Sequence, residues 1–151
     1  PACTAVGHNA FTNSNFSGSL SLPACTVVEH NAFRKSHFNG SLNLPACTYI
    51  GGDAFLESNF SGSLSLPLCT YIGGYAFVRS NFSGSLNLPM CTYVGTNAFY
   101  NSNFTTITIG ANATLLGTCI GAHSTEFIND YEAKGKQAGT YVWDGSHWIY
   151  Q

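Results

Sequence analysis

The sequence predicts a β-dominated α/β repeat: a solenoid of five 22-residue coils closed by a C-terminal helix–hairpin cap. Three observations predict it. Proline recurs at Pro1, Pro23, Pro45, Pro67 and Pro89, and Cys3, Cys25, Cys47, Cys69 and Cys91 keep the same interval. Ala-Phe pairs recur at Phe11, Phe33, Phe55, Phe77 and Phe99, each followed by a second phenylalanine at Phe16, Phe38, Phe60, Phe82 and Phe104. Four copies then close on Leu-x-Leu, at Leu20/Leu22, Leu42/Leu44, Leu64/Leu66 and Leu86/Leu88, and the fifth closes one residue early on Ile107 and Ile109. One such unit cannot bury its own apolar side chains. Stacked copies can, because equivalent residues then lie above one another in columns.

Within a copy, Cys-Thr-Tyr-Ile-Gly reads as a short strand with Cys47 and Ile50 facing inward. Asn-Ala-Phe-x-x-Ser then offers about one helical or 3₁₀ turn, too short for an ordinary helix. The Leu-x-Leu segment alternates strictly, so its leucines point in and Ser21, Asn43, Ser65 and Asn87 point out. Proline ends that strand because it has no N–H for the ladder. Six apolar side chains thus enter the core per copy, for example Cys47, Ile50, Phe55, Phe60, Leu64 and Leu66. With no full helix on the second side, curvature should be slight.

Composition shifts after residue 110. Residues 104–151 hold six of the twelve charges, the polarity that a solenoid end needs against water. Ser124 to Lys134 reads as a helix, with Ser124 or Thr125 as the cap, Glu126 in the first turn and Gly135 at C′. Phe127, Ile128 and Tyr131 form its apolar stripe. Segments 140–143 and 147–150 flank Asp144-Gly145 as a hairpin, with Trp143, Trp148 and Tyr150 closing the last coil. The expected organisation is a solenoid over 1–110 and a cap over 111–151, comprising a degenerate coil, the helix and the hairpin, packed as one domain. No matching cap precedes the first coil, which suggests a fragment of a longer array or an end that packs on another copy.

Ile50-Gly51, Ala54-Phe55, Ser58 and Leu64-x-Leu66-Pro67, returning in every copy, resemble the BspA-like leucine-rich repeat over about residues 1–110. One departure stands out: the family's cysteine after Ala-Phe is serine here, at Ser14, Ser36, Ser58, Ser80 and Ser102. The resemblance implies a right-handed leucine-rich-repeat solenoid, and display at a cell surface or outside the cell, with adhesion to host proteins or other cells.

Only 8% of the residues are charged and the net charge is −2, so the basic footprint of a nucleic-acid binder is missing. No window offers about 20 continuous apolar residues, so no membrane insertion of this segment is expected. Five cysteines in one inward column read as free thiols acting as small hydrophobes, since neither paired disulfides nor a tetrahedral metal site fits a column; Cys119 reads as a further buried filler. No catalytic motif, cofactor site or metal site is expected, and Glu29 beside His30 reads as a loop substitution rather than an acid–base pair.

Asn15, Asn59, Asn81 and Asn103, with His37 replacing them once, read as a corner ladder of stacked amides. The same positions fit the glycosylation acceptor pattern, as do Asn39 and Asn112, and the ladder is the preferred reading. The candidate binding surface has two parts: the row Tyr49, Tyr71 and Tyr93, where tyrosine gives large contact area at low entropy cost, and the small polar row Ser21, Asn43, Ser65 and Asn87. The expected function is a non-catalytic binding or adhesion module that recognises a protein or glycan ligand on host or neighbouring cells. The alternative is a structural spacer or self-assembling stalk that stacks through its uncapped N-terminal coil. A flat ice- or surface-binding face is a poor third, because Thr106-Ile107-Thr108 is the only Thr-x-Thr.

Overall fold

The computed structural model describes residues 2–151; Pro1, the first proline of the series, lies outside the described residues. In chain order the strands are β1 (Ala5–Val6), β2 (Leu20–Ser21), β3 (Val27–Val28), β4 (Leu42–Asn43), β5 (Tyr49–Ile50), β6 (Ser61–Ser65), β7 (Tyr71–Ile72), β8 (Asn81–Leu88), β9 (Tyr93–Val94), β10 (Asn103–Ile109) and β11 (Thr114–Leu115). Helix α1 (Ser124–Ala133) and strands β12 (Gly139–Trp143) and β13 (Trp148–Tyr150) follow. The molecule is a β-solenoid of about five turns. One side is a six-stranded parallel sheet, β1-β3-β5-β7-β9-β11; the Leu-x-Leu strands form a two-stranded sheet, β2-β4, and a five-stranded sheet, β13-β12-β10-β8-β6.

The coils stack in the 22-residue register the sequence predicts: Tyr49 pairs with Tyr71 and Tyr71 with Tyr93, and Leu64 pairs with Leu86. Their side chains build continuous columns. Phe33, Phe55, Phe77 and Phe99 stack with ring centres 5.3, 5.1 and 5.0 Å apart and planes within 8°. Near-parallel rings at that separation are offset stacks, the favoured alternative to a face-to-face sandwich. The second column runs through Phe38, Phe60, Phe82 and Phe104, and each ring meets its partner in the same coil edge-on, Phe55 and Phe60 at 5.6 Å and 77°. Phe11 and Phe16 of the first coil are each about two-fifths exposed.

The segment after Gly7 and its equivalents is not the helical or 3₁₀ turn expected. Left-handed residues recur at Asn9, Asn31, Asp53, Tyr75 and Asn97 (φ 56–58°), and again at Asn13, Lys35, Glu57 and Arg79 (φ 58–71°). Between them, N–H groups alternate: Ala32 bonds back to Glu29 O in a tight turn, whereas Phe33 bonds forward to Ala54 O of the next coil. A helix would keep every N–H within its own coil; giving alternate ones to the neighbour requires the reversals in φ. Asn and Asp tolerate that conformation best among non-glycine residues.

The Ser-for-Cys departure has a structural role. Ser36, Ser58 and Ser80 are fully buried, and each hydroxyl donates to a carbonyl of the preceding coil: Ser36 to Phe11 O, Ser58 to Ser36 O and Ser80 to Ser58 O, at 2.9–3.1 Å. Ser102, at the same position, is 2% exposed and its hydroxyl has no partner among the described residues. This serine series supplies the corner ladder that the sequence reading assigned to asparagine. The side chains of Asn15, Asn59, Asn81 and Asn103 are exposed instead.

On the outer side of the Leu-x-Leu strands, the hydrogen bonds alternate between coils. Asn43 Nδ2 donates to Ser21 Oγ and Ser41 Oγ bonds Ser19 Oγ across the first and second coils. Asn87 Nδ2 donates to Ser65 Oγ and Ser85 N–H to Ser63 Oγ across the third and fourth. Among the described residues no such side-chain bond joins these positions of the second and third coils.

The cap covers the last coil. β12 pairs antiparallel with β10, Ile107 opposite Tyr141, so the hairpin covers the edge that β10 would otherwise leave open, and the three-residue β13 becomes the edge strand. From α1, Phe127 and Tyr131 are buried against Tyr141 and Trp148. The helix ends as expected: Gly135 has φ +67°, its N–H bonds Glu132 O, and Lys136 N–H bonds Tyr131 O, a Schellman closure. Its start differs. Ser124 Oγ donates to Gly121 O and accepts from Ile120 N–H, so it is engaged with the preceding loop, and the N-cap is left-handed His123 without a side-chain cap bond.

Candidate functional site

The tyrosine row lies on the six-stranded sheet. In each two-residue strand one side chain is fixed inward: Ile50, Ile72 and Val94 are fully buried, which leaves Tyr49, Tyr71 and Tyr93 half-buried on the outside. Their rings stack along the solenoid axis, 5.0 Å apart at 9° for Tyr49–Tyr71 and 4.6 Å apart at 2° for Tyr71–Tyr93. The π-faces therefore cover one another, and the row presents ring edges and hydroxyls to a partner. Val27 precedes it and Thr114 follows it in register.

His30 anchors one end. Gly52 N–H donates to His30 Nδ1 at 3.0 Å, so the ring proton sits on Nε2, which donates to the Tyr49 hydroxyl at 3.1 Å. Burial, then the neighbouring Tyr71 phenol and Glu29 carboxylate, pushes the Tyr49 hydroxyl above its ordinary pKa, so the phenol stays protonated at neutral pH. The hydroxyls of Tyr71 and Tyr93 make no hydrogen bond among the described residues.

A second row runs beside the tyrosines and was not singled out from the sequence. Thr4, Thr26, Thr48, Thr70, Thr92 and Thr114 keep the 22-residue interval without a break, a signal that was available. Thr26, Thr48, Thr70 and Thr92 are exposed, and each hydroxyl donates to the threonine carbonyl of the preceding coil at 3.0–3.1 Å. The other predicted row, Ser21, Asn43, Ser65 and Asn87, lies on β2, β4, β6 and β8, in different sheets from the tyrosines. The structure does not bring the two rows together, and the serines and asparagines are bonded to one another in pairs.

The thiols form the inward column expected. Cys25, Cys47, Cys69, Cys91 and Cys119 are free and fully buried, and Cys3 is free and exposed. Each thiol from Cys25 to Cys91 donates to the carbonyl two residues on, at 3.2–3.3 Å. Burial pushes Cys47 and Cys91 up to about 11 and Cys119 up to about 12, and raises Cys25 and Cys69 as well. The thiolate is the reactive form, so iodoacetamide at neutral pH is expected to label Cys3 alone in the folded chain, and all six cysteines after denaturation. Peptide mass mapping reads this, and label on Cys47 or Cys69 in the native chain would contradict it.

Parallel two-residue strands recurring every 22 residues, with inward aliphatic and aromatic columns, define a leucine-rich-repeat solenoid. The chain belongs to the BspA type leucine-rich repeat family, whose sequence model matches residues 4–127 in six copies. Within that span, β11 adds the last strand to the six-stranded sheet beside β9, in the segment read from the sequence as a degenerate coil. No curated protein and no solved structure matches the chain. Repeats of this family commonly mediate protein–protein interaction on a typically non-catalytic scaffold, and its members are typically extracellular or surface-associated. Among the described residues, no helix is long and apolar enough to cross a membrane.

Proposed function

We propose that the chain is a non-catalytic recognition module of a cell-surface or secreted protein, which adheres to a protein or glycan ligand on host or neighbouring cells. The observation that supports this most is the Tyr49–Tyr71–Tyr93 row. It is an ordered aromatic strip, half-buried and held rigid by its own stacking, and it is flanked by exposed threonines. Immobilised side chains of this kind lose little entropy on binding. The test is a screen against matrix proteins and glycans, repeated with the Tyr49→Ser, Tyr71→Ser, Tyr93→Ser triple variant. Loss of a hot spot worth 2 kcal/mol or more lowers affinity about 30-fold. Unchanged binding by a folded triple variant would reject the tyrosine row as the contact surface.

A second reading, a structural spacer or self-assembling stalk, has one observation in its favour. An apolar concavity of about 290 Å³ opens at the first coil between Val6, Phe11, Phe16, Leu20 and Leu22. A second copy seated there would give a mass that rises with concentration in light scattering, and a constant monomer mass rejects this reading.

A further inference from the structure

Asn15, Asn59, Asn81 and Asn103 share one repeat position, and Ser17, Ser61, Ser83 and Thr105 follow them two residues on. At this corner the chain alternates sides. Both the asparagine and the hydroxyl residue are exposed in all four copies, while the phenylalanine between them is buried in three, Phe60, Phe82 and Phe104. Among the described residues none of these four side-chain amides makes a hydrogen bond. Asn39, Asn97 and Asn101, by contrast, accept bonds from Gly18 N–H, the Thr118 hydroxyl and Arg79 N–H. The repeat thus presents an outward amide with no structural role, beside a hydroxyl on the same face. This is what the Asn-x-Ser/Thr acceptor pattern requires, on a surface open to a transferase.

We propose that Asn15, Asn59, Asn81 and Asn103 are acceptors for asparagine-linked oligosaccharide, and that neighbouring coils compete for it. The proposal rests on the reading of the chain as secreted or surface-displayed. The donor is a lipid-pyrophosphate-linked oligosaccharide. Asparagine Nδ2 forms a bond to the anomeric carbon, the bond from that carbon to the pyrophosphate oxygen breaks, and the pyrophosphate leaves with the electron pair. The amide loses one proton to the transferase, and nothing is oxidised or reduced.

Competition follows from the spacing. Asn81 pairs across the sheet with Ser61, and Asn103 with Ser83, an offset that the strands correct further along. The neighbouring rings Phe60, Phe82 and Phe104 stack 6.2 Å apart. Strand spacing and rise put successive acceptors within about 10 Å, so a branched sugar on one coil obstructs the next. Asn15 is spared because His37 stands between it and Asn59. Sugars on Asn59, Asn81 and Asn103 would rise beside β6, β8 and β10, leaving the six-stranded sheet with its tyrosines open.

The test directs the full chain, behind an appended leader, through the secretory pathway of a host with an oligosaccharyltransferase. A secreted glycoprotein in the same cells serves as the control for transfer. Peptide mapping after amidase release, which leaves aspartate at each carrying position, is expected to find sugar at Asn15 and at members of the Asn59–Asn81–Asn103 run. Chains carrying sugar on adjacent coils should be rarer than the product of the single-site fractions. Ser83→Ala, which leaves Asn81 in place, should lower occupancy at Asn81 about tenfold or more, and Asn81→Gln should raise it at Asn59 and Asn103. A secreted chain without sugar, or with sugar confined to Asn39 or Asn112, overturns the proposal, and statistically independent occupancy overturns the competition. Ligand binding is measured on sugar-free chain from a bacterial host, so failure of acceptor chemistry and failure of the recognition reading are told apart.

Discussion

Phe60→Ala is expected to lower the unfolding free energy by about 3–5 kcal/mol. Phe60 is fully buried, with Phe38 at 5.3 Å in the coil before, Phe82 at 6.2 Å in the coil after, and Phe55 edge-on at 5.6 Å. Truncation removes the transfer free energy of the ring and opens a void between rings that belong to three coils, so the gap cannot close by moving one side chain. Denaturant titration followed by circular dichroism measures the change, and a loss below about 1 kcal/mol would contradict the column. Phe16→Ala in the same column should cost less, because Phe16 is 39% exposed.

Tyr131→Phe, a change of one oxygen atom, is expected to destabilise the chain by about 1–3 kcal/mol. The Tyr131 hydroxyl donates to Gly110 O at 2.6 Å and accepts from Ala113 N–H at 3.0 Å, and all three groups are buried. It fixes α1 to the segment that follows the last Leu-x-Leu-type strand, so the variant leaves a carbonyl and an N–H without partners. Hydrogen exchange should accelerate first in α1 and in residues 110–115, ahead of the middle coils. Tyr71→Phe is the matched control: its hydroxyl has no partner among the described residues, and the change should stay within about 0.5 kcal/mol. Equal losses for both variants would remove Tyr131 as the tie between cap and coil.

The stacking axis and the inward columns were legible because each leaves a periodic apolar signal, and the hairpin because Asp144-Gly145 marks its turn. Phe33 and Phe55 repeat at 22 residues and touch for that reason. Polar positions were harder to read. Serine recurs in all five copies at the Ser58 position and asparagine in four at the Asn59 position, and repetition alone does not say which one is turned inward; the structure buries the smaller serine, whose hydroxyl reaches a carbonyl one coil away. Left-handed φ at Lys35, Glu57 and Arg79 left no trace in composition, since these residues are there despite the conformation and not because of it. Ser124 looked like a helix cap from its neighbours in sequence, but Ile120 and Gly121 lie close enough to claim its hydroxyl. Of the candidate site, the tyrosine row was visible as a repeat. Its stacking, which hides the ring faces, follows from strand register, and the threonine row beside it was legible in the same period but overlooked.

The alternating serine and asparagine bonds make the true building block a couplet of coils, forty-four residues long by the spacing of the sequence. The six-stranded sheet and the phenylalanine stacks run through every coil, but the Leu-x-Leu ladder divides between β4 and β6, and the outer stitching is present within each couplet and missing between Asn43 and Ser65. That junction is the seam of the rod. Under tension or partial wear the array should part there before it parts within a pair, and lengthening it by whole couplets preserves the stitching that a single added coil would leave unmatched.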